Sequence, residues 1–225
     1  MQKEWRYFYL ALGFFTRIPV PNFANFQESD LNHSTKYFPL IGIIVGFFGA
    51  TFFYAASLVF PHVIAVLISM AATIYLTGAF HEDGLADSAD GIGGGWEREQ
   101  ILTIMQDSRL GTYGAVALFL MLLAKFQTLS HLNPIFIPLV LITGHALSRL
   151  WGVLLMATLT YTKPAGKAKP LATQLSKQHL IIAAVFGLLP FAGIIGLLIV
   201  SNHSQLIVIK FILLALLPSL IVWLY

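Results

Sequence analysis

Cysteine is absent from all 225 residues, which removes disulfides, thiolate metal sites and thiol nucleophiles together and leaves oxygen and nitrogen donors for any chemistry. Charge is scarce too: 10% of residues are Asp, Glu, Lys or Arg, against 57% apolar. With a mean hydropathy of +0.79, this is the composition of a membrane protein rather than a soluble domain. No basic run interleaves with aromatics, so the net charge of +3 carries no nucleic-acid footprint and reports topology instead. The seven histidines never take a metal-ligand spacing such as H-E-x-x-H. No internal repeat, low-complexity tract or separable soluble segment is present. Lys3 and Arg6 precede the apolar run YFYLALGFF, yet no small-residue cleavage site follows and Arg17 interrupts the run, so it reads as a retained interfacial helix.

Long apolar runs are what the chain has. A spanning helix needs about 20 mostly apolar residues, and six windows meet that length between polar or proline punctuation. They are Pro39 to Phe60, His62 to about Phe80, Thr112 to Ser130, Ile135 to about Leu159, His179 to Val200, and Leu206 to Tyr225. The expectation is an all-α polytopic bundle forming one transmembrane catalytic domain over residues 1–225. With a cytoplasmic N-terminus, ten of the thirteen Lys and Arg fall on the cytoplasmic side, the turns at Pro61, HLNP and SNHSQ carry none, and Lys125, Arg149 and Lys210 lie inside spans. All ten acidic residues fall in the cytoplasmic segments, seven of them between the second and third windows.

That loop opens with HEDGLADSADG, His81 to Gly91. If the second helix continues through it, Asp83, Asp87 and Asp90 stand at i, i+4 and i+7 on one narrow face, and Glu82 turns about 100° away. Like charges at this spacing repel by ~0.3 kcal/mol per pair in water, and by more beside a bilayer. No Lys or Arg balances them from His81 to Trp96. A hard divalent cation such as Mg²⁺, held by carboxylates and substrate phosphate oxygens, would make the arrangement favourable. Gly84 and Gly91 are expected to leave room for close approach to the backbone. The alternative is a solvated loop with capping acids.

A second polar stretch, IMQDSRLGTYG, precedes the third window. Asp107, Ser108 and Arg109 before a glycine turn read as a phosphate cradle, with helix N–H groups, a bidentate guanidinium and Thr112 as the cap. The alternative is ordinary N-capping with an interfacial arginine. Asp107 is a candidate metal ligand or general base. Arg149, unpaired in mid-span, would cost at least about 3 kcal/mol, so it is expected to face the bundle interior and meet an acid or anionic substrate. His145 reads as a satisfied interior residue.

Together FFTRIPVP (14–21), FPLIG (38–42), HEDGLADSADG, IMQDSRLGTYGAVAL (104–118) and the Ser148–Arg149 pair resemble the cobalamin synthase (adenosylcobinamide-GDP ribazoletransferase) family over about the first 160 residues. The resemblance implies a bacterial inner-membrane phosphotransferase whose active site faces the cytoplasm. In that reaction α-ribazole, or its 5′-phosphate, displaces GMP from adenosylcobinamide-GDP with Mg²⁺ as cofactor. It further implies Asp83, Asp87, Asp90 and Asp107 as metal ligands, with Arg109, Arg17, Ser108 and Arg149 on phosphate. Members of the family carry a T-G-D-x-x-G-A type segment and a final helix beyond this point, so the end at Tyr225 reads as truncated. A CDP-alcohol phosphotransferase with another acceptor is the nearest alternative. A cation transporter is the more distant one, because no Asp or Glu lies inside a predicted span. The oligomeric state, a homo-oligomer included, stays open.

Overall fold

The computed structural model describes residues 2–23, 27–159 and 175–200. Among these residues every regular element is helical: α1 Gln2–Phe15, α2 Glu28–Ser34, α3 Phe38–Ser57, α4 His62–Thr77, α5 Phe80–Gly94, α6 Arg98–Ile104, α7 Thr112–Ser130, α8 Ile137–Thr158 and α9 Lys177–Val200. Four stretches are long and apolar enough to cross a membrane: Ser29–Ser57, Thr112–Ser130, Pro134–Thr158 and Lys177–Ile199. Four of the six expected windows are therefore present, with ends shifted by at most three residues except in the first, whose apolar helical stretch begins at Ser29, ten residues before Pro39. The sixth, Leu206 to Tyr225, lies outside the described residues.

The second window departs from expectation. Instead of running straight through the acidic motif, the helix stops at Thr77 and the chain bends by 85° into α5. Gly78 (φ 64°) closes α4 in the left-handed region, where glycine pays no Cβ penalty, and Ala79 (φ 59°) follows it there. The Gly78 and Ala79 N–H groups still reach the Tyr75 and Ile74 carbonyls, at 3.2 and 2.9 Å. Counted as one bent span, α4 with α5 brings the candidate crossings to five.

The chain divides into two compact units, residues 1–50 with 138–225 and residues 51–137. In the first, α1 buries Ala11, Leu12 and Phe15, and Phe15 meets Phe38 edge to face with centroids 4.6 Å apart. Ion pairs tie α1 to the segment after it: Arg6 to Asp30 and Lys36 to Glu4, both at 2.7 Å. Lys36 is buried, with its ammonium over the Tyr7 and Tyr37 rings, and its ion pair holds the Glu4 carboxyl below the usual carboxylate range. Gly42 and Gly46 of α3 lie against the backbone of α8 at His145 and Ile142, where no side chain would fit; small residues four apart let two apolar helices approach this closely. In the second unit α7 packs along α5 and α4, and α6 covers the end of α5.

Candidate active site

The 3.6-residue period sets the acidic face. Because α5 is helical from Phe80 to Gly94, Asp83, Asp87 and Asp90 do share one sector. Asp83 is exposed, and Asp87 and Asp90 are half-buried. Asp90 reaches α7 through both oxygens: Oδ2 accepts the Gly111 N–H and Oδ1 the Gly114 N–H, each at 2.8 Å. Glu82 points elsewhere, half-buried, with Oε2 enclosed and without a hydrogen-bond partner.

The second motif supplies the turn into α7. Arg109 wraps Asp107: its Nε donates to both carboxylate oxygens at 3.1 and 3.0 Å, its Nη2 to Oδ2 at 2.6 Å, and its backbone N–H to Oδ1 at 3.0 Å. The guanidinium hydrogen bonds hold the Asp107 carboxyl below its ordinary value. The Arg109 side chain is 86% exposed, which leaves it accessible to a ligand. Ser108 beside it is exposed. The cap position of α7 is Gly111, not Thr112, and carries no side-chain cap of its own; Asp90 of α5 fills that role.

Two glycine expectations resolve differently. Nothing lies within 4 Å of a side chain built at Gly84, so that stretch of α5 is open. The room expected at Gly91 is already taken, since a Cβ there would meet Met105 Cγ at 2.5 Å and Ile101 beyond it. Gly91 is buried packing between α5 and α6.

Arg17 and Arg149 belong to the first unit. Arg17 is exposed just past α1. Arg149 is 3% exposed on α8, where Nη1 donates to the His145 carbonyl at 3.0 Å and the guanidinium lies 5.1 Å from the Phe15 ring centroid. The interior placement expected of it is what the helix adopts. His145 is half-buried, and its carbonyl also accepts from the Ser148 hydroxyl at 3.1 Å.

Among the described residues no group of three or more His, Asp or Glu side chains converges as a metal site. Asp83 and Asp87, one helical turn apart on α5, are a hard-oxygen pair. Their chemistry fits Mg²⁺, which takes one or two carboxylates beside substrate phosphates.

The sequence reading missed the glycines that shape these contacts: Gly42 and Gly46 in the first unit, and Gly93, Gly111 and Gly114 in the second. A Cβ on Gly93 would enter the Tyr113 ring, and one on Gly111 or Gly114 would strike the Asp90 carboxylate. The small-residue spacings G-x-x-x-G and G-T-Y-G were the available signal.

Apolar helices of spanning length, with a carboxylate-bearing helix clamped to a basic turn, define an all-helical, multi-pass membrane protein. The profile of the family described as cobalamin-5-phosphate synthase matches residues 7–225, and the chain belongs to that family of cobalamin-synthesis transferases. It is 43% identical over 213 residues to an adenosylcobinamide-GDP ribazoletransferase of Shewanella amazonensis, covering 92% of this chain and 80% of that one. Relatives of the same name in Ralstonia pickettii and Leptospira biflexa are 44% and 38% identical over 193 and 213 residues, covering 84% and 86% of this chain and 75% and 78% of theirs. No solved structure matches.

Proposed function

We propose that this protein transfers the adenosylcobinamide phosphate moiety of adenosylcobinamide-GDP to α-ribazole or its 5′-phosphate, releasing GMP, at the cytoplasmic face of a bacterial inner membrane. The observation that carries the reading is the family match, which takes in both polar motifs. The topology rests on the ten Lys and Arg that gather on one side. In the transfer a hydroxyl oxygen of the acceptor bonds to the cobinamide-linked phosphorus, the bond from that phosphorus to the bridging oxygen breaks, and GMP leaves with that oxygen while the hydroxyl proton is released.

Asp83 and Asp87 would hold Mg²⁺, which when bound draws charge from the diphosphate. Arg109 presents its exposed guanidinium side chain to phosphoryl oxygens whose charge grows in the transition state. Asp107 holds that guanidinium in place through its hydrogen bonds. Ser108 stands exposed beside it as a hydrogen-bond donor for phosphate. The test is direct: the protein in lipid nanodiscs is given adenosylcobinamide-GDP and α-ribazole with and without Mg²⁺, and the products are separated. Equimolar GMP and a cobalamin product, both Mg²⁺-dependent, are expected. Turnover of a CDP-alcohol, with none of the corrinoid, would overturn the reading in favour of a CDP-alcohol phosphotransferase.

A further inference from the structure

Asp90 is bonded differently from a carboxylate waiting for a ligand. Its two oxygens take the N–H groups of Gly111 and Gly114, the cap and third positions of α7. These amides have no acceptor within their own helix and carry the positive end of its dipole. The helix provides no side-chain cap, and the carboxylate arrives from 21 and 24 residues earlier in the chain. Both amides belong to glycines, and a Cβ on either would collide with that carboxylate; on Gly114 it would also meet the Ala86 carbonyl at 2.9 Å. One turn further along α5, a Cβ on Gly93 would meet the Tyr113 ring at 2.5 Å. Ala86, Asp90 and Gly93, at i, i+4 and i+7, thus form the face of α5 that receives the first turn of α7.

We propose that Asp90 is a positioning residue, a carboxylate clamp that locks the first turn of α7 to α5 and so holds Arg109 and Asp107 at a set displacement from the Asp83–Asp87 face. This rests on the proposed function for the roles of Asp83, Asp87 and Arg109, but the clamp itself is a matter of geometry. It separates three aspartates of one motif into two kinds: Asp83 and Asp87 act on the ligand, and Asp90 acts through α7. A charge-assisted pair of bonds to backbone amides is short and strong, and breaking it frees the turn that carries the guanidinium.

Amide hydrogen exchange and Mg²⁺ titration of the transfer rate, on protein in nanodiscs, separate this role from metal ligation. In Asp90→Ala and Asp90→Asn the Gly111 and Gly114 amides should exchange about tenfold faster or more, as expected when a part-buried bond opens, whereas Asp83→Asn should leave them unchanged. The rate should fall at least about tenfold in Asp90→Asn with the Mg²⁺ midpoint within about twofold of wild type. In Asp83→Asn the midpoint itself should rise about tenfold or more. Gly111→Ala keeps every carboxylate and should reproduce the exchange and rate changes of Asp90→Asn by pushing the clamp open. Unaltered exchange in Asp90→Asn with a raised Mg²⁺ midpoint would overturn the clamp and make Asp90 a metal ligand, and so would a Gly111→Ala protein with wild-type exchange and rate. If Asp90→Ala fails to fold, the near-isosteric Asn variant carries the test. Exchange needs no substrate, so a wild-type protein that makes no cobalamin would sink the proposed function while the clamp is still judged.

Discussion

At the residue scale the Asp107–Arg109 pair decides which acid does what. Arg109 holds the Asp107 carboxyl below its ordinary value of 3.8, and a general base works best with a pKa near the operating pH. The role proposed for Asp107 is accordingly to hold the guanidinium rather than to accept a proton. Because its folded value is depressed, whatever the pair contributes is present above the ordinary carboxylate range and is lost only as pH falls through the lowered value. Rate–pH profiles of wild type and Asp107→Asn should consequently run parallel between about pH 5 and 8, the variant being slower throughout; an acid limb that vanishes in the variant would make Asp107 the base. Of these roles the sequence shows the shared face of Asp83, Asp87 and Asp90, because the helical period alone sets it. The partners of Asp90 were not legible, since backbone amides 21 and 24 residues away have no side-chain signature.

At the element scale the turn between α4 and α5 shapes the second unit. α4 has sixteen residues, about 24 Å of helix, and its end is set by Gly78 rather than by a change in hydropathy. Gly78→Val puts a β-branched residue at a positive φ and should destabilise the protein by about 1–2 kcal/mol. A lower apparent Tm in detergent is the expected outcome, and a Tm equal to wild type would show that the bend does not depend on glycine. The carboxylates sit on the arm beyond this break. Broken helices also serve ion carriers, but here the family is one of transferases. The apolar windows were legible as sequence because hydropathy reports length. The bend was not, because a lone glycine inside such a run is as compatible with a continuous helix as with a cap.

For the whole molecule, topology is the property that composition reaches furthest. Cytoplasmic reporters inserted at Gly95 should be active, and those at Pro61 or within 131–133 should be silent, with exported reporters giving the reverse; activity on the same side at all three sites would overturn the orientation. Fold class, membrane residence and the family itself follow from the sequence, since mean hydropathy and contiguous motifs are local quantities that survive without coordinates. Tertiary structure alone decided the pairings: Gly42 and Gly46 seated on the α8 backbone, Arg149 enclosed beneath Phe15, and Asp90 bonded to the first turn of α7. The glycine seats and the Asp90 clamp depend on elements approaching closely enough to exclude a single Cβ. That is a distance between elements far apart in the chain, and no one-dimensional pattern encodes it.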